Sequence, residues 1–266
     1  MSRKRPTVAD LRALKGKRQL TMLRVMTIGE AEAAEKAGID IVSIPPELLL
    51  DPRYREVAPT LFSMTGDNFY EFGTADEFVR WAFGMYKASA DAIYCSAGFP
   101  TVRRLAEDNV PVIGHVGLVP SRATWTGGFR AVGKTADAAM QIYEQVRKYE
   151  ECGAIGVEIE VVPVEVAEAI SKRTPLLLWS MGAGTGCDAQ YLFACDILGA
   201  NTGHMPRHSK VYRDFAAEFD RLQKERIAAF MEYKADVDSG AYPEEKHIVR
   251  MDPAELADFM KRIDAG

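Results

Sequence analysis

The chain has 266 residues, 47% of them hydrophobic and 27% charged, and 33 Lys and Arg against 38 Asp and Glu leave a formal charge of -5. That length suits one large α/β barrel or two small domains. An acidic balance without a Lys/Arg block argues against a nucleic-acid or anionic-membrane surface, since both recruit clustered positive charge. The expected partner is a small molecule. Cys95, Cys152, Cys187 and Cys195 lie far apart with no CxxC, so the reading is reduced thiols, with no zinc cluster or disulfide framework. The basic N-terminus lacks the apolar core of a secretory signal, and no run of about 18 apolar residues offers a membrane span. A soluble cytoplasmic protein is expected.

Along the chain, short apolar runs alternate with amphipathic segments. Strands are expected at residues 20–25, 40–44, 60–64, 92–95, 112–115, 156–160, 176–181 and 194–198, with helices at 28–37, 75–90, 136–152 and 164–173 between them. Thr135 can cap the segment after it, and Gly153 stands where a left-handed terminator belongs. Eight βα units predict a (β/α)8 TIM barrel, read as one domain over residues 1–266. Additional C-terminal helices are expected at 212–233 and 253–263. A doubly wound open sheet is the rival, but no GxGxxG follows the first strand to support its dinucleotide-binding form.

In such a barrel, reactive groups come from the C-terminal strand ends. The fifth strand ends in PVIGHVGLVP, where His115 has small Gly114 and Gly117 beside it, leaving space for a ligand near the ring; the plain alternative is a hydrogen-bonded core histidine. The sixth ends in GVEIEVVPVE, and a period of two puts Glu158 and Glu160 on one face. Two carboxylates close together in a poorly solvated barrel cannot both ionise cheaply, which makes a proton acceptor or a metal-ligand pair; the alternative is pairing with an interior cation. In LLLWSMGAGTGCDAQ, Gly182, Gly184 and Gly186 allow close backbone approach to a ligand, with Ser180 beside them, and their N–H groups at the start of a following helix suit an anion. The long SRATWTGGFRAVGKT loop, with Gly127, Gly128, Arg130 and Lys134, reads as a mobile lid or as an ordinary surface loop. His204, Arg207, His208 and Lys210 add a basic cluster after the last strand.

From the fifth strand onward, PVIGHVGLVPS, GGFRAVGKT, EVVPVEVAEAI, MGAG with DAQ, TGHMPR and SGAYPEEKH stand in the order and spacing of one family. In these stretches the chain resembles ketopantoate hydroxymethyltransferase, a (β/α)8 enzyme of the phosphoenolpyruvate mutase and isocitrate lyase superfamily. The resemblance implies an aldol addition: a divalent metal, usually magnesium, holds a 2-oxo acid, a glutamate removes the α proton, and the enolate takes a hydroxymethyl group from methylenetetrahydrofolate. The base maps onto Glu160. His115 would stabilise the enolate oxygen or the substrate carboxylate. Cytoplasmic homo-oligomers, commonly decamers, and a place in pantothenate biosynthesis are also implied.

The N-terminal half departs from that pattern at the metal site. Where the family has Val-Gly-Asp-Ser, this chain has Ile44, Pro45, Pro46 and Glu47; where it has Ala-Asp-Leu-Pro, the nearest match is Thr65, Gly66, Asp67 and Asn68. Lys-Ile-Glu of the fourth strand becomes Tyr94, Cys95 and Ser96, which makes Tyr94 and Cys95 candidate substrate contacts. Only Glu47, Asp67 and Glu158 stand nearby as acids to rebuild a metal site. Three readings follow: the family reaction; another C–C lyase, decarboxylase or hydrolase acting on a different 2-oxo acid; or a catalytically inactive barrel.

Overall fold

A computed structural model describes residues 3–66 and 71–265. Eight parallel strands close into a barrel in chain order: β1 (Leu20–Arg24), β2 (Ile41–Ile44), β3 (Phe62–Thr65), β4 (Ala92–Tyr94), β5 (Val112–Gly117), β6 (Gly156–Glu160), β7 (Leu177–Met181) and β8 (Ala189–Phe193). The helices are α1 (Val8–Leu14), α2 (Ile28–Ala37), α3 (Pro46–Leu50), α4 (Arg53–Val57), α5 (Ala75–Lys87), α6 (Phe99–Glu107), α7 (Ala123–Thr126), α8 (Ala136–Glu151), α9 (Val164–Ser171), α10 (Ala194–Ile197), α11 (Phe215–Ser239) and α12 (Pro253–Asp264). The barrel reading holds, with C-terminal helices after it.

Local signals set the element ends. Thr27, Thr74 and Thr135 each accept a backbone N–H of the first turn of α2, α5 and α8 through the side-chain hydroxyl, which satisfies a donor the helix leaves unpaired. Gly38 ends α2 in the left-handed conformation, φ +76°.

The strand expected at 194–198 is a correction. Those residues form α10, and the eighth strand is Ala189–Phe193, paired with β1 from Leu20↔Ala189 to Arg24↔Phe193. The start of β8 is pinned by Asp188, whose carboxylate accepts the Leu178 backbone N–H at 2.8 Å and pairs with Lys15 at 2.7 Å, while its carbonyl accepts Leu20 N–H at 2.8 Å.

Strand alternation divides the interior into two storeys. Leu20, Met22, Ile41, Phe62, Ile113, Leu177 and Trp179 point inward with other apolar side chains, and Leu11 of α1 joins this cluster at the N-terminal end. Further along the same parity the inward positions become polar: Arg24, Ser43, Tyr94, His115, Glu158 and Glu160. The opposite faces of the strands pack on the helices in a second cluster that includes Val42, Ile93, Val116, Ile159 and Leu178.

The chain divides into two compact units, Met1–Arg213 with the barrel and Asp214–Gly266 with α11 and α12. Among the described residues, no helix is long and apolar enough to cross a membrane.

Candidate active site

The centre is built by β5 and β6, whose register sets His115 against Glu158 and Gly117 against Glu160. His115 Nε2 lies 3.2 Å from Glu160 Oε2 and its Nδ1 3.6 Å from Glu158 Oε2, and the Tyr94 hydroxyl hydrogen-bonds Nδ1 at 2.8 Å. All three acid–base groups are buried. Two glycines of β5 permit close approaches, one to α8 and one to β6. A Cβ at Gly114 would fall 2.3 Å from the Tyr149 ring of α8, and one at Gly117 would fall 2.3 Å from the Glu160 carbonyl. Gly117 has φ +86°, and beyond it Leu118 N–H donates to that carbonyl at 2.9 Å. Val161, directly after Glu160, holds φ +48°, a left-handed backbone uncommon for a β-branched residue.

Burial dominates the electrostatics. Desolvation, with the neighbouring Glu160 charge adding to it, pushes the Glu158 carboxyl up to about 7, against the pull of His115 and Arg24. Burial likewise drives the Tyr94 and Tyr191 phenols well upward, Glu158 reinforcing both, so they are neutral hydrogen-bond donors at physiological pH. His115 Nε2 is buried and, despite facing Glu160, makes no hydrogen bond of good alignment.

Two cavities meet at Glu160. The inner one, about 570 Å³, opens at the barrel mouth over Arg24, Ser43, Tyr94, His115, Glu158 and Tyr191. The outer one, about 550 Å³, is lined by Phe129, Arg130 and Lys134 of the expected lid and by His204, Arg207 and His208. Glu160, Met181 and Phe193 line both. The glycine-rich turn shapes the outer wall: a Cβ at Gly182 would meet the His208 ring at 2.7 Å, and burial lowers the His208 pKa.

Several sequence-derived candidates stand elsewhere. Cys95 is fully buried on the helix-facing side of the barrel, its thiol pushed up to about 12 by desolvation, so it is no pocket nucleophile. Ser180 is fully buried too, its hydroxyl donating to Gly184 O at 2.9 Å and accepting Ala183 N–H at 3.1 Å; it holds the turn together. Gly182 and Gly184 line a small recess of about 190 Å³ beside Lys134 and Arg207 rather than the inner cavity. The turn runs into β8, so no helix N-terminus stands there to hold an anion. Gly127 ends α7 with φ +75° and Gly128 follows at φ +102°, leaving Trp125 and Phe129 exposed. Glu47 is exposed on α3 and lines neither cavity, and Asp67 lies outside the described residues. Arg24, Ser43 and Tyr191 were not singled out from sequence. The parity of Leu20 and Met22, extended by two, marks Arg24 as an inward residue at a strand end.

A family model described as ketopantoate hydroxymethyltransferase matches residues 68–245, more than half of the chain. The chain belongs to the ketopantoate hydroxymethyltransferase family. Curated relatives named 3-methyl-2-oxobutanoate hydroxymethyltransferase include one from Nitratidesulfovibrio vulgaris, 29% identical over 97% of this chain and 90% of the relative. Another, from Thermotoga neapolitana, is 30% identical over 91% of this chain and 95% of the relative. A third, from Nitrosopumilus maritimus, is 31% identical over 67% and 63%. Among solved structures, an oxaloacetate acetylhydrolase matches with TM-score 0.55 at 12% identity, covering 90% of this chain and 98% of that one. A 2,3-dimethylmalate lyase of the phosphoenolpyruvate mutase/isocitrate lyase superfamily matches with TM-score 0.51 at 14% identity, covering 98% and 99%. At these identities the structural likenesses speak for the fold.

As a member of the ketopantoate hydroxymethyltransferase family, the chain is an enzyme of C–C bond formation at a 2-oxo acid. Among the described residues, the donors do not fit the divalent ion that the family resemblance implies. Among the described residues, no three His, Cys, Asp or Glu side chains gather where they could hold a metal. The cavity containing Glu158 and Glu160 also contains the Arg24 guanidinium, a fixed positive charge that disfavours a second cation.

Proposed function

We propose that the chain transfers a hydroxymethyl group to a small 2-oxo acid through an enolate formed at the barrel mouth, as a 3-methyl-2-oxobutanoate hydroxymethyltransferase in pantothenate biosynthesis. One observation carries the reading: buried His115 is clamped between Tyr94 and the Glu158–Glu160 pair at the floor of an open cavity. Glu160, where inner and outer cavities meet, accepts the α proton of the acid. A neutral Tyr94 that donates to Nδ1 leaves the His115 hydrogen on Nε2, the atom without a hydrogen bond in the protein, which is then free to donate to the developing enolate oxygen. Glu158, largely protonated below neutral pH, keeps the site from accumulating two negative charges as the enolate forms.

The outer cavity is the place for the one-carbon donor, methylenetetrahydrofolate in the family reaction, with Arg130, Lys134 and Arg207 facing its acidic end. One water hydrolyses the donor's methylene bridge there, its C–N bonds breaking to release tetrahydrofolate. The enolate carbon bonds the freed one-carbon aldehyde, whose oxygen takes the proton held by Glu160; the 127–134 segment shields the enolate from bulk solvent. A homo-oligomeric state is part of the same reading.

The test is exchange of α protons in D2O, followed by NMR across a panel of 2-oxo acids. Wild-type protein is expected to exchange 3-methyl-2-oxobutanoate, and Glu160→Gln to lose at least about 10²-fold of that rate, the usual range for removing a general base. Full exchange in Glu160→Gln would falsify the assignment. Exchange without ketopantoate formation when methylenetetrahydrofolate is supplied would favour a different C–C bond chemistry at the same site.

A further inference from the structure

The inner cavity holds one group for which the proposed reaction has as yet no use. Arg24 is the last residue of β1, in register with Ser43 of β2 and Phe193 of β8, so its side chain rises from the apolar storey into the polar one. It is only partly exposed. Nη1 donates to Ser43 Oγ at 2.9 Å, and among the described residues no carboxylate lies within ion-pair distance of the guanidinium. The acid nearest in effect is Glu158, which burial holds largely protonated below neutral pH and which is itself turned toward His115. A guanidinium carries five N–H donors in a planar fork. One donor engages Ser43, and the cavity that Arg24 shares is lined by the phenols Tyr94 and Tyr191, the hydroxyls of Ser96 and Ser121, and the His115, Glu158 and Glu160 cluster. An unpaired, partly desolvated cation beside a cavity of about 570 Å³ is a receptor for a small anion.

We propose that Arg24 binds the carboxylate of the 2-oxo acid, so that substrate recognition in this chain rests on a guanidinium and requires no divalent metal. The inference rests on the proposed enolate chemistry and extends it. It accounts for two features together: the absence of a converging set of metal ligands among the described residues, and the presence of a fixed cation in the cavity that contains the base. With the carboxylate on Arg24, the α carbon and carbonyl of a short 2-oxo acid extend across the cavity toward His115 and Glu160. A bidentate guanidinium–carboxylate contact also fixes the plane of the acid, which orients the α C–H for removal.

The experiment is calorimetric titration of the full chain with a panel of short 2-oxo acids including 3-methyl-2-oxobutanoate, in metal-stripped buffer containing EDTA, repeated with added Mg2+. Wild-type protein is expected to bind at least one acid with affinity unchanged by Mg2+, and 3-methyl-2-butanone, which lacks the carboxylate, is expected not to bind. Arg24→Met is expected to weaken binding about 10–100-fold, the range for losing a charge-assisted hydrogen-bonded pair. Arg24→Lys, which keeps the charge but not the fork, should weaken it less and serves as the second variant if Arg24→Met does not fold. Binding of every acid that vanishes in EDTA and returns with Mg2+, no binding of any acid in EDTA, or wild-type affinity in the Arg24 variants each overturns the proposal. Its failure is distinguishable from failure of the enolate chemistry, because metal-dependent binding with intact α-proton exchange sinks only the role of Arg24. Tight metal-free binding without exchange sinks only the chemistry.

Discussion

Glu158 sets a measurable signature of the site. Its carboxyl holds a proton to about 7 in the folded chain, against 4.5 for an ordinary glutamate. Between those values the folded state binds more protons than the unfolded one, so stability falls with rising pH. The contribution is fully present below the unfolded value and is lost as pH rises through the folded one. Chemical denaturation of Glu158→Gln and wild-type protein from about pH 5 to about pH 8 is therefore expected to show wild type losing stability relative to the variant. Parallel curves would contradict a buried, proton-holding Glu158. Residue by residue, the sequence was informative where chemistry and strand parity coincide: Glu158 and Glu160 share one face as their spacing implied, and His115 of the neighbouring strand lies against both. It misled where a residue type suggested reactivity and parity pointed away from the cavity. Cys95 and Ser180 are both one step out of phase with the inward positions Tyr94 and Met181: Cys95 packs in the outer cluster and Ser180 bonds the turn after β7.

At the level of elements, the barrel rests on close contacts that glycine permits. Gly114 of β5 lies against the ring of Tyr149 in α8, and Tyr149 in turn reaches the His115 carbonyl with its hydroxyl at 3.4 Å. Gly114→Ala forces that ring, fully packed in the core, to move. A loss of about 1–3 kcal/mol is expected, as for other overpacked cores, with reduced α-proton exchange because the same shift moves His115. Urea unfolding checks the first effect, and unchanged stability would show that α8 yields without cost. Seven strands were legible as apolar runs bounded by turn residues. The eighth was not, because the glycine-rich turn before it resembles a strand-to-helix loop, and because Ala194–Ile197 is as apolar as the strand it follows. What decides between them is pairing with β1 across the closing seam, a contact between opposite ends of the barrel sequence that local patterning cannot encode.

At the scale of the whole molecule, the unit Asp214–Gly266 carries an apolar stripe of its own. Leu256, Phe259, Met260 and Ile263 of α12 follow the i, i+3, i+4, i+7 spacing of a helix that buries one face, yet each is exposed, as are Phe219, Phe230 and Met231 of α11. Light scattering coupled to size exclusion is expected to find an oligomer, since isolated chains rarely leave such stripes in water; a monomer at micromolar concentration would contradict it. Helical periodicity made the two helices of this unit legible in sequence, within a chain read as one domain, while the cavities, assembled from strand ends and loops distant in the chain, became legible only in three dimensions. The two cavities meet at Glu160 but otherwise have largely separate walls. Under the proposed reaction, acceptor preference resides in the inner wall and donor preference in the outer one, and substitutions such as Ser43→Ala and Lys134→Ala are expected to alter one preference while leaving the other largely intact.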